Sequence, residues 1–437
     1  ETILRINEIN NFKNLYVLTN AEHKFLIKQH LHEINLTNPN LICEPLSRNT
    51  APAAALAAFD LIKKDPEAIM LLLPADHYIA NKDQFLKLIN LASEYAFQDK
   101  IVTFGMHPTS PEIGYGYIEQ GEMTDSENNI YKIKQFVEKP NLEKAKSYIA
   151  NGNYSWNSGI FIVKAKIYLE ELKKYRPDIF SVCFETLNNS SINDNEIVIN
   201  PEFFANSPND SIDYAIMEHT DKGYVIRDYI GWTDIGSWDM VWSLNEKDKE
   251  NNVCIGDIIS KDCENSYIFS QTQSLLAVVG IRDLIVIKTG NATLIMPKSR
   301  AQDVKNLVNY IEDQKREEVN IDTLVPRPWG KYEVYADDPQ FKVKRIIVKP
   351  GQKLSLQSHK HRSEHWVVVQ GIATVTVENK VFKLKSNQST YINAEELHRL
   401  ENKHHEELHI IEVQTGTYFG EDDIVRYDDD YGRAKKS

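Results

Sequence analysis

The chain changes its hydrophobic rhythm once, near residue 322, and that change limits its possible folds more than any other feature. Up to about residue 245, short apolar runs alternate with longer amphipathic ones. "LYVLT" (15–19) precedes "AEHKFLIKQHLHE" (21–33), "APAAALAAFDLIKK" precedes "AIMLLL", and "DQFLKLINLASEYAF" precedes "KIVTFG". The third of these reads as a helix with Asn49 or Thr50 as N-cap and Pro52 in its first turn. Strands alternating with helices of this length predict βαβ units in a mixed, mostly parallel sheet covered on both faces, with ligands beyond the carboxyl ends of the strands. After residue 322, "FKVKRIIV", "HWVVV", "ATVTVE", "VFKLK", "STYIN" and "LHIIEVQ" succeed one another without helical stretches, which predicts an all-β barrel or jelly roll. Between them, short β-rich pieces from "CIGDIIS" to "ATLIMP" lead into the charged helix "AQDVKNLVNYIEDQKREE", with no internal repeat. The expected division is therefore 1–250, a siteless linking domain 251–321, and 322–437, the last boundary marked by "DTLVPRPWGKY" (322–332).

Charge and cysteine usage narrow the partners. Lys and Arg number 50 against 63 Asp and Glu, a net charge of −13, which disfavours nucleic acid while leaving room for small phosphorylated ligands in local basic pockets. Cys43, Cys183, Cys254 and Cys263 form no C-x-x-C pair, which points to reduced thiols and a cytoplasmic location. No apolar run approaches the roughly 18 residues needed to span a bilayer, and no signal-peptide pattern is present, so no membrane partner is expected. A homo-oligomer is compatible with all of this.

Seven of the 13 histidines fall between His359 and His409. In "SLQSHKHRSEHW", Gln357 and His359 are two apart and share one face of a strand, and Glu364 returns on the neighbouring strand after a turn. The spacing from Gly351 through Gln357, His359 and Glu364 to Gly371 resembles the first cupin motif, G-x5-H-x-H-x4-E-x6-G, with glutamine for the first histidine. Asn387, Asn393, Glu395, His398 and Asn402 fit the spacing of the second, G-x5-P-x-G-x2-H-x3-N, but lack both glycines and the proline. Asparagine tolerates left-handed backbone, so Asn387 is an understandable replacement, whereas Glu395 is not. An amide oxygen, two imidazoles and a carboxylate make a mixed N/O shell for a divalent metal of the Zn, Mn or Co kind, with a position left for substrate. The rival reading is a polar strand edge with histidines in water; agreement across two separated segments favours the metal site. His361 lies outside the pattern.

The first domain carries weaker single signals. "LLLPADHYI" puts Asp76 just past a buried strand, and "GWTDIGSW" puts Asp234 after a β-rich run; two such carboxylates suit a hydrated Mg²⁺ bridging phosphate oxygens, although an Asp after a strand is more often a helix cap. "FVEKP" gives Glu138 and Lys139, and "EPLSRNTAPAAA" sets Arg48, Asn49 and Thr50 at a helix start, where free N–H groups favour anions. "GYGYIEQG", with Gly116, and "WNSGIF", with Asn157, let a ligand approach the backbone.

In order, "EPLSRNTAPA", "LLLPADH", "IGYGYIEQG", "FVEKP", "YSWNSGIF", "SIDYAIME" and "WTDIGSW" resemble the sugar nucleotidyltransferase domain of the bifunctional mannose-1-phosphate guanylyltransferases, a Rossmann-like α/β fold. The tail, "RPWGKY", "LSLQSHKHRSEHWVVVQG" and "IEVQTGTYFGEDDIVRYDDDYGR", is similar to the type II mannose-6-phosphate isomerase cupin fused to it. The resemblance implies guanylyl transfer from GTP to mannose 1-phosphate, with Mg²⁺ on Asp76 and Asp234, the nucleotide on Arg48, Asn49, Thr50 and Asp76, and the sugar phosphate on Gly116, Glu138, Lys139 and Asn157. It also implies metal-dependent interconversion of fructose 6-phosphate and mannose 6-phosphate in the cupin, with Arg433 as a phosphate holder. The family's opening G-G-x-G-T-R-L-x-P loop has no counterpart here; "ETILRINE" resembles the family's sequence a few tens of residues downstream of that loop, and the expectation is an omitted segment. The alternatives are an isomerase alone, or a sugar-phosphate-binding protein without catalysis.

Overall fold

The computed structural model describes residues 1–6, 9, 13–36, 39–193, 195–272, 274–316, 318 and 324–428. They form two compact units, Glu1–Val241 and Trp242–Ser437. Among the described residues, no helix is long and apolar enough to cross a membrane.

In the first unit the strands are β1 (Tyr16–Asn20), β2 (Asn40–Glu44), β3 (Ile69–Leu72), β4 (Tyr78–Ile79), β5 (Ile101–Met106), β6 (Tyr117–Asp125), β7 (Ile130–Val137), β8 (Tyr154–Lys164), β9 (Ser191–Asn193), β10 (Glu196–Val198), β11 (Gly223–Arg227) and β12 (Trp232–Thr233). They make a four-stranded sheet in the order β1-β2-β10-β9, a six-stranded sheet in the order β3-β8-β5-β11-β7-β6, and the ribbon β12-β4. The sheets are mixed, as expected, but the parallel share is smaller. In the first sheet β1, β2 and β10 run parallel, whereas in the second only β5 and β11 do. β8 is responsible: almost wholly buried, it runs against both β3 and β5 and separates them. Hydrophobic periodicity marks a segment as a strand but does not encode its direction, which tertiary pairing sets.

Helix Thr50–Lys64 shows why its sequence folds as it does. Ala51, Ala54, Ala55, Ala57 and Ala58 are all buried, so alanines let it pack closely in a core shared with helices Ala165–Tyr175 and Pro177–Asn188. Asn49 caps it, its side-chain oxygen accepting from the Thr50 N–H at 2.8 Å. A second core packs Phe85, Leu88, Ile89, Ala92 and Ala96 of helix Lys82–Phe97 with Phe104, Ile160 and Ile162. That spacing is one helical face; truncating the fully buried Phe85 to alanine should cost about 3–5 kcal/mol.

The second unit begins with β13 (Val253–Ile255), β14 (Ile258–Lys261), β15 (Tyr267–Ser270), β16 (Leu276–Val279), β17 (Leu284–Lys288) and β18 (Thr293–Pro297). Here the absence of a repeat in the sequence is misleading. Ile258 pairs in parallel with Leu276, and Tyr267 with Ile285 at the same offset, so successive coils stack as a small β-helix. Backbone stacking recurs while side chains do not, because each rung needs only an apolar residue facing inward.

The barrel comes next, with β19 (Leu324–Arg327), β20 (Gly330–Asp338), β21 (Phe341–Val348), β22 (Leu356–His359), β23 (Arg362–Gln370), β24 (Ile372–Val377), β25 (Lys380–Lys385), β26 (Ser389–Ile392), β27 (His398–Glu401), β28 (Leu408–Gly416) and β29 (Ile424–Asp428). A six-stranded sheet, β19-β20-β21-β28-β23-β26, and a five-stranded one, β25-β24-β27-β22-β29, enclose Trp366, Val368, Ile346, Val348 and Ile410 from the first and Ala373, Val375, Leu384 and Leu400 from the second. Burial alternates along β23 and β28, the signature of a strand with one face on the core.

Candidate active sites

The alternation in β23 turns Glu364 inward, His359 is buried at the end of β22, and the single ladder pair between β22 and β27 sets Gln357 opposite His398. One ligand atom each from His359, Glu364 and His398 lies within 4.8 Å of the others, and all three side chains are buried. The Nε2 of His359 is 3.0 Å from one oxygen of Glu364, and that of His398 is 3.6 Å from the other. Gln357 joins them, its Nε2 3.5 Å from the His398 Nε2. Its Oε1 accepts from the Ser355 hydroxyl at 2.9 Å, and a hydroxyl serves an amide in either orientation, so the carbonyl can turn inward without losing that bond. The four residues expected from spacing therefore converge.

Their protonation suits a cation. The Nδ1–H of His398 donates to the Glu396 carbonyl at 2.9 Å, which leaves the Nε2 lone pair facing the pocket, and burial lowers the pKa of the ring, keeping it neutral. The Nε2 of His359 faces only Glu364 and its Nδ1 is buried without a hydrogen-bond partner among the described residues, so the Nε2 lone pair is available to a cation beside the carboxylate. Burial opposes an ionised Glu364, but the His359 contact, the two imidazoles and Arg362 outweigh it and hold its pKa below the usual carboxylate range. One carboxylate, two imidazoles and an amide fit a divalent metal.

Four motif positions explain the departures from the glycine pattern. Gly351, Gly371, Asn387 and Glu395 have φ of 72°, 85°, 67° and 69°. The left-handed backbone of the motif is thus kept even where glycine is not, and Glu395 holds its place by donating its N–H to the His359 carbonyl at 2.6 Å. Asn402, the last motif residue, is a latch: its Nδ2 donates to the carbonyls of Val348 at 2.9 Å and Glu406 at 2.7 Å.

Behind the ligands lies a second buried acid that the spacing did not reveal. The Trp366 Nε1–H is shared between Glu364 and Glu412 at 3.0 and 3.1 Å, and the Gln414 amide between the same two at 2.9 Å each. Burial, and then the charge of Glu364, push the Glu412 pKa up to about 8, so it is a carboxylic acid at neutral pH. Glu412 and Gln414 occupy the apolar phase of "LHIIEVQ", and polar residues in that phase are the signal that could have found them.

In the first unit, the β4–β12 ladder pairs Thr233 with Tyr78, which sets Asp234 across from the Asp76–His77 step. Tyr115 donates its hydroxyl to Asp234 at 2.7 Å, and the Trp232 indole donates to His77 Nδ1 at 3.1 Å. Burial lowers the His77 pKa against the charges of Asp76 and Asp234. Ile235 has φ 50°, rare for a β-branched residue, directly after Asp234.

The edge-to-face contact of Tyr115 with Trp156, centroids 5.1 Å apart, joins these carboxylates to a second group built on the adjacent residues Gly116 and Asn157. A Cβ on Gly116 would meet the Glu138 carboxylate at 2.5 Å, so the backbone lies flush against it. Asn157 donates to Asp213 at 2.9 Å and accepts from Thr103 at 2.9 Å. Lys139 pairs with Glu138 at 3.2 Å. Burial, with the charge of Asp213, pushes Glu138 up to about 7, and burial raises Asp213 as well. Sequence reasoning missed Asp213 and Tyr115, although both stand in quoted motifs. Arg48 donates to the Ala205 carbonyl at 2.6 Å and Thr50 accepts from the Ile212 N–H at 3.0 Å, so these two anchor the segment leading to Asp213. Arg433 lies outside the described residues.

Comparison with known proteins agrees with this geometry. The family model described as "Nucleotidyl transferase" matches residues 2–251, "MannoseP isomerase/GMP-like beta-helix domain" matches 256–311, and "Mannose-6-phosphate isomerase C-terminal" matches 314–429. A mannose-1-phosphate guanylyltransferase of Escherichia coli (strain K12) is 44% identical over 437 residues, covering 99% of this chain and 91% of that protein. The chain belongs to the mannose-1-phosphate guanylyltransferase family. A guanylyltransferase from Klebsiella pneumoniae is 42% identical, covering 99% of this chain and 92% of the relative. A crystal structure described as "mannose-1-phosphate geranyltransferase", from Thermus thermophilus, aligns with TM-score 0.60 and 26% identity, over 71% of this chain and 88% of that one. Within the guanylyltransferase family, the barrel is the part that carries the isomerase resemblance.

Proposed function

We infer that this guanylyltransferase-family chain makes GDP-mannose from GTP and mannose 1-phosphate in its first domain and interconverts fructose 6-phosphate and mannose 6-phosphate in its barrel. We propose the division 1–250, 251–321 and 322–437 for the transferase, the linking domain and the isomerase, in a cytoplasmic protein that works as a homo-oligomer. The buried convergence of His359, Glu364 and His398 carries the isomerase reading.

In the barrel, Gln357, His359, Glu364 and His398 would hold a divalent ion of the Zn, Mn or Co kind. When bound, that ion polarises the sugar oxygens at C1 and C2, making the hydrogens on those carbons acidic. Glu364 supplies the anionic ligand, the Glu396 carbonyl fixes the His398 tautomer, and protonated Glu412 shares the Trp366 and Gln414 donors without adding a second negative charge.

In the transferase domain, Asp76 and Asp234 would hold Mg²⁺, with Tyr115 fixing the Asp234 rotamer. Arg48, Asn49 and Thr50, at the start of a 15-residue helix, form the nucleotide side. The sugar phosphate competes with Glu138 for Lys139, and Gly116, Asn157 and Asp213 receive the sugar. Catalysis is then positioning and charge neutralisation.

The test is a pair of assays on one preparation: GDP-mannose formation from GTP and mannose 1-phosphate, and conversion of mannose 6-phosphate, each before and after chelation and with metals added back singly. Both activities should vanish with chelator and return with different metals. Isomerisation that persists in metal-free protein would defeat the barrel reading, and inactivity with GTP under all conditions would defeat the transferase reading.

A further inference from the structure

Two arginines from the edges of the barrel's two sheets hold one carboxylate between them. Arg327 ends β19, at the edge of the six-stranded sheet, and Arg426 lies in β29, at the edge of the five-stranded one. Each sets a guanidinium nitrogen 3.1 Å from a different oxygen of Glu421, which is exposed. Arg327 also donates to the Tyr332 hydroxyl at 3.2 Å, and the Lys344 ammonium lies 5.0 Å from the centre of the same ring. Arg327, Arg426 and Lys344 thus act together on one carboxylate, although Lys344 also lies 3.8 Å from Glu412. Arg362, the first residue of β23, donates to the carbonyl of Gly420, the residue before Glu421.

An exposed ion pair by itself contributes little. This cluster has two further features. The Nε of Arg426 is buried with no partner among the described residues, a donor kept from water for no internal acceptor. The β22–β29 ladder also pairs Arg426 with Gln357, so the two project from the same face of the sheet, and Gln357 is the residue whose amide meets His398.

We propose that Arg327 and Arg426, supported by Lys344, are the phosphate subsite of the isomerase pocket, and that Glu421 occupies it until a phosphate monoester dianion displaces it. The proposal rests on the isomerase reading of the barrel. A hexose 6-phosphate reacts at C1 and C2 and carries its charge at the far end of the chain, so binding that end positions the reacting carbons. Guanidinium forks match phosphate oxygens in pairs, and a dianion balances the two arginines better than one carboxylate does.

The test uses R327Q, R426Q and the charge-keeping R327K and R426K in the full chain loaded with metal, with inorganic phosphate and mannose 6-phosphate as probes. Calorimetric phosphate affinity should fall about tenfold or more in each Gln variant and be partly restored in the Lys variants, with metal content and circular dichroism unchanged. The KM for mannose 6-phosphate should rise by a similar factor, more than kcat falls. E421Q, which removes the competing carboxylate, should tighten phosphate binding. Unchanged phosphate affinity in both Gln variants would overturn the subsite, and so would weaker binding in E421Q. Phosphate binding that depends on both arginines in a protein without isomerase activity would instead uphold the subsite and defeat the isomerase reading.

Discussion

The barrel pocket and the carboxylates of the first domain solve the same problem, holding charge for a phosphorylated sugar, in opposite ways. In the barrel the charge is stored dry: the side chains of Glu364, His359 and His398 are 1–2% exposed, and every neighbour that fixes them is in place. In the first domain Asp76 is exposed, Asp234 half-buried on the Tyr115 hydroxyl, and the Lys139 side chain 57% exposed. Strand geometry therefore preorganises the barrel cluster, whereas in the proposed transferase site the charge balance would come from the bound metal and the phosphates themselves.

The largest expected effect disrupts the dry site. His398→Ala should lower bound metal and reduce isomerisation by roughly 10³-fold, with guanylyl transfer retained. Elemental analysis alongside both assays measures this, and full metal occupancy in the variant would contradict the ligand set. Asp234→Ala should reduce guanylyl transfer by roughly 10²–10³-fold and leave isomerisation intact. Loss of both activities would remove the contrast between independent sites.

A pH series probes the wetter site more finely. Burial raises the folded pKa of Glu138 to about 7 from an ordinary 4.5. The stability this group contributes is therefore complete below about pH 4.5 and is lost as pH rises through about 7, a change of about 2 kcal/mol after allowing for partial solvent access. Glu138→Gln, which mimics the protonated acid, should make the first unit more stable than the parent by that amount at pH 8 and leave it equal at pH 4. Urea unfolding at both pH values reads this out. The smallest effect lies in the barrel frame: Glu395→Gly removes a left-handed non-glycine residue and should stabilise by roughly 0.5–1 kcal/mol, seen as a later denaturation midpoint.

The dry site was far more legible in the sequence than the wet one. Gln357, His359 and Glu364 are encoded by a period of two and one turn, and His398 by a second spacing, so local rules reach all four. The conformation at Glu395 shows the limit of such rules: the residue type argued against a left-handed turn, and the bond from its N–H to the His359 carbonyl holds one. Asp76 and Asp234 were each individually weak in the sequence, because their meeting depends on the two-residue ladder Tyr78–Thr233. Asp213, Tyr115, Glu412 and Gln414 were missed for the same reason: each acquires meaning from a partner distant in the chain.

The order of residues alone pointed to alternating strands and helices in the first part of the chain, to an all-β stretch after residue 322, and to four barrel side chains expected to converge, since each of these rests on spacing within short segments. Tertiary pairing was needed for the direction of β8, the coiling of the linking strands, the shared donors between Glu364 and Glu412, and the meeting of Arg327 with Arg426 over Glu421. Those depend on contacts between segments far apart in the chain, and hydrophobic periodicity carries no record of which partner a strand will find.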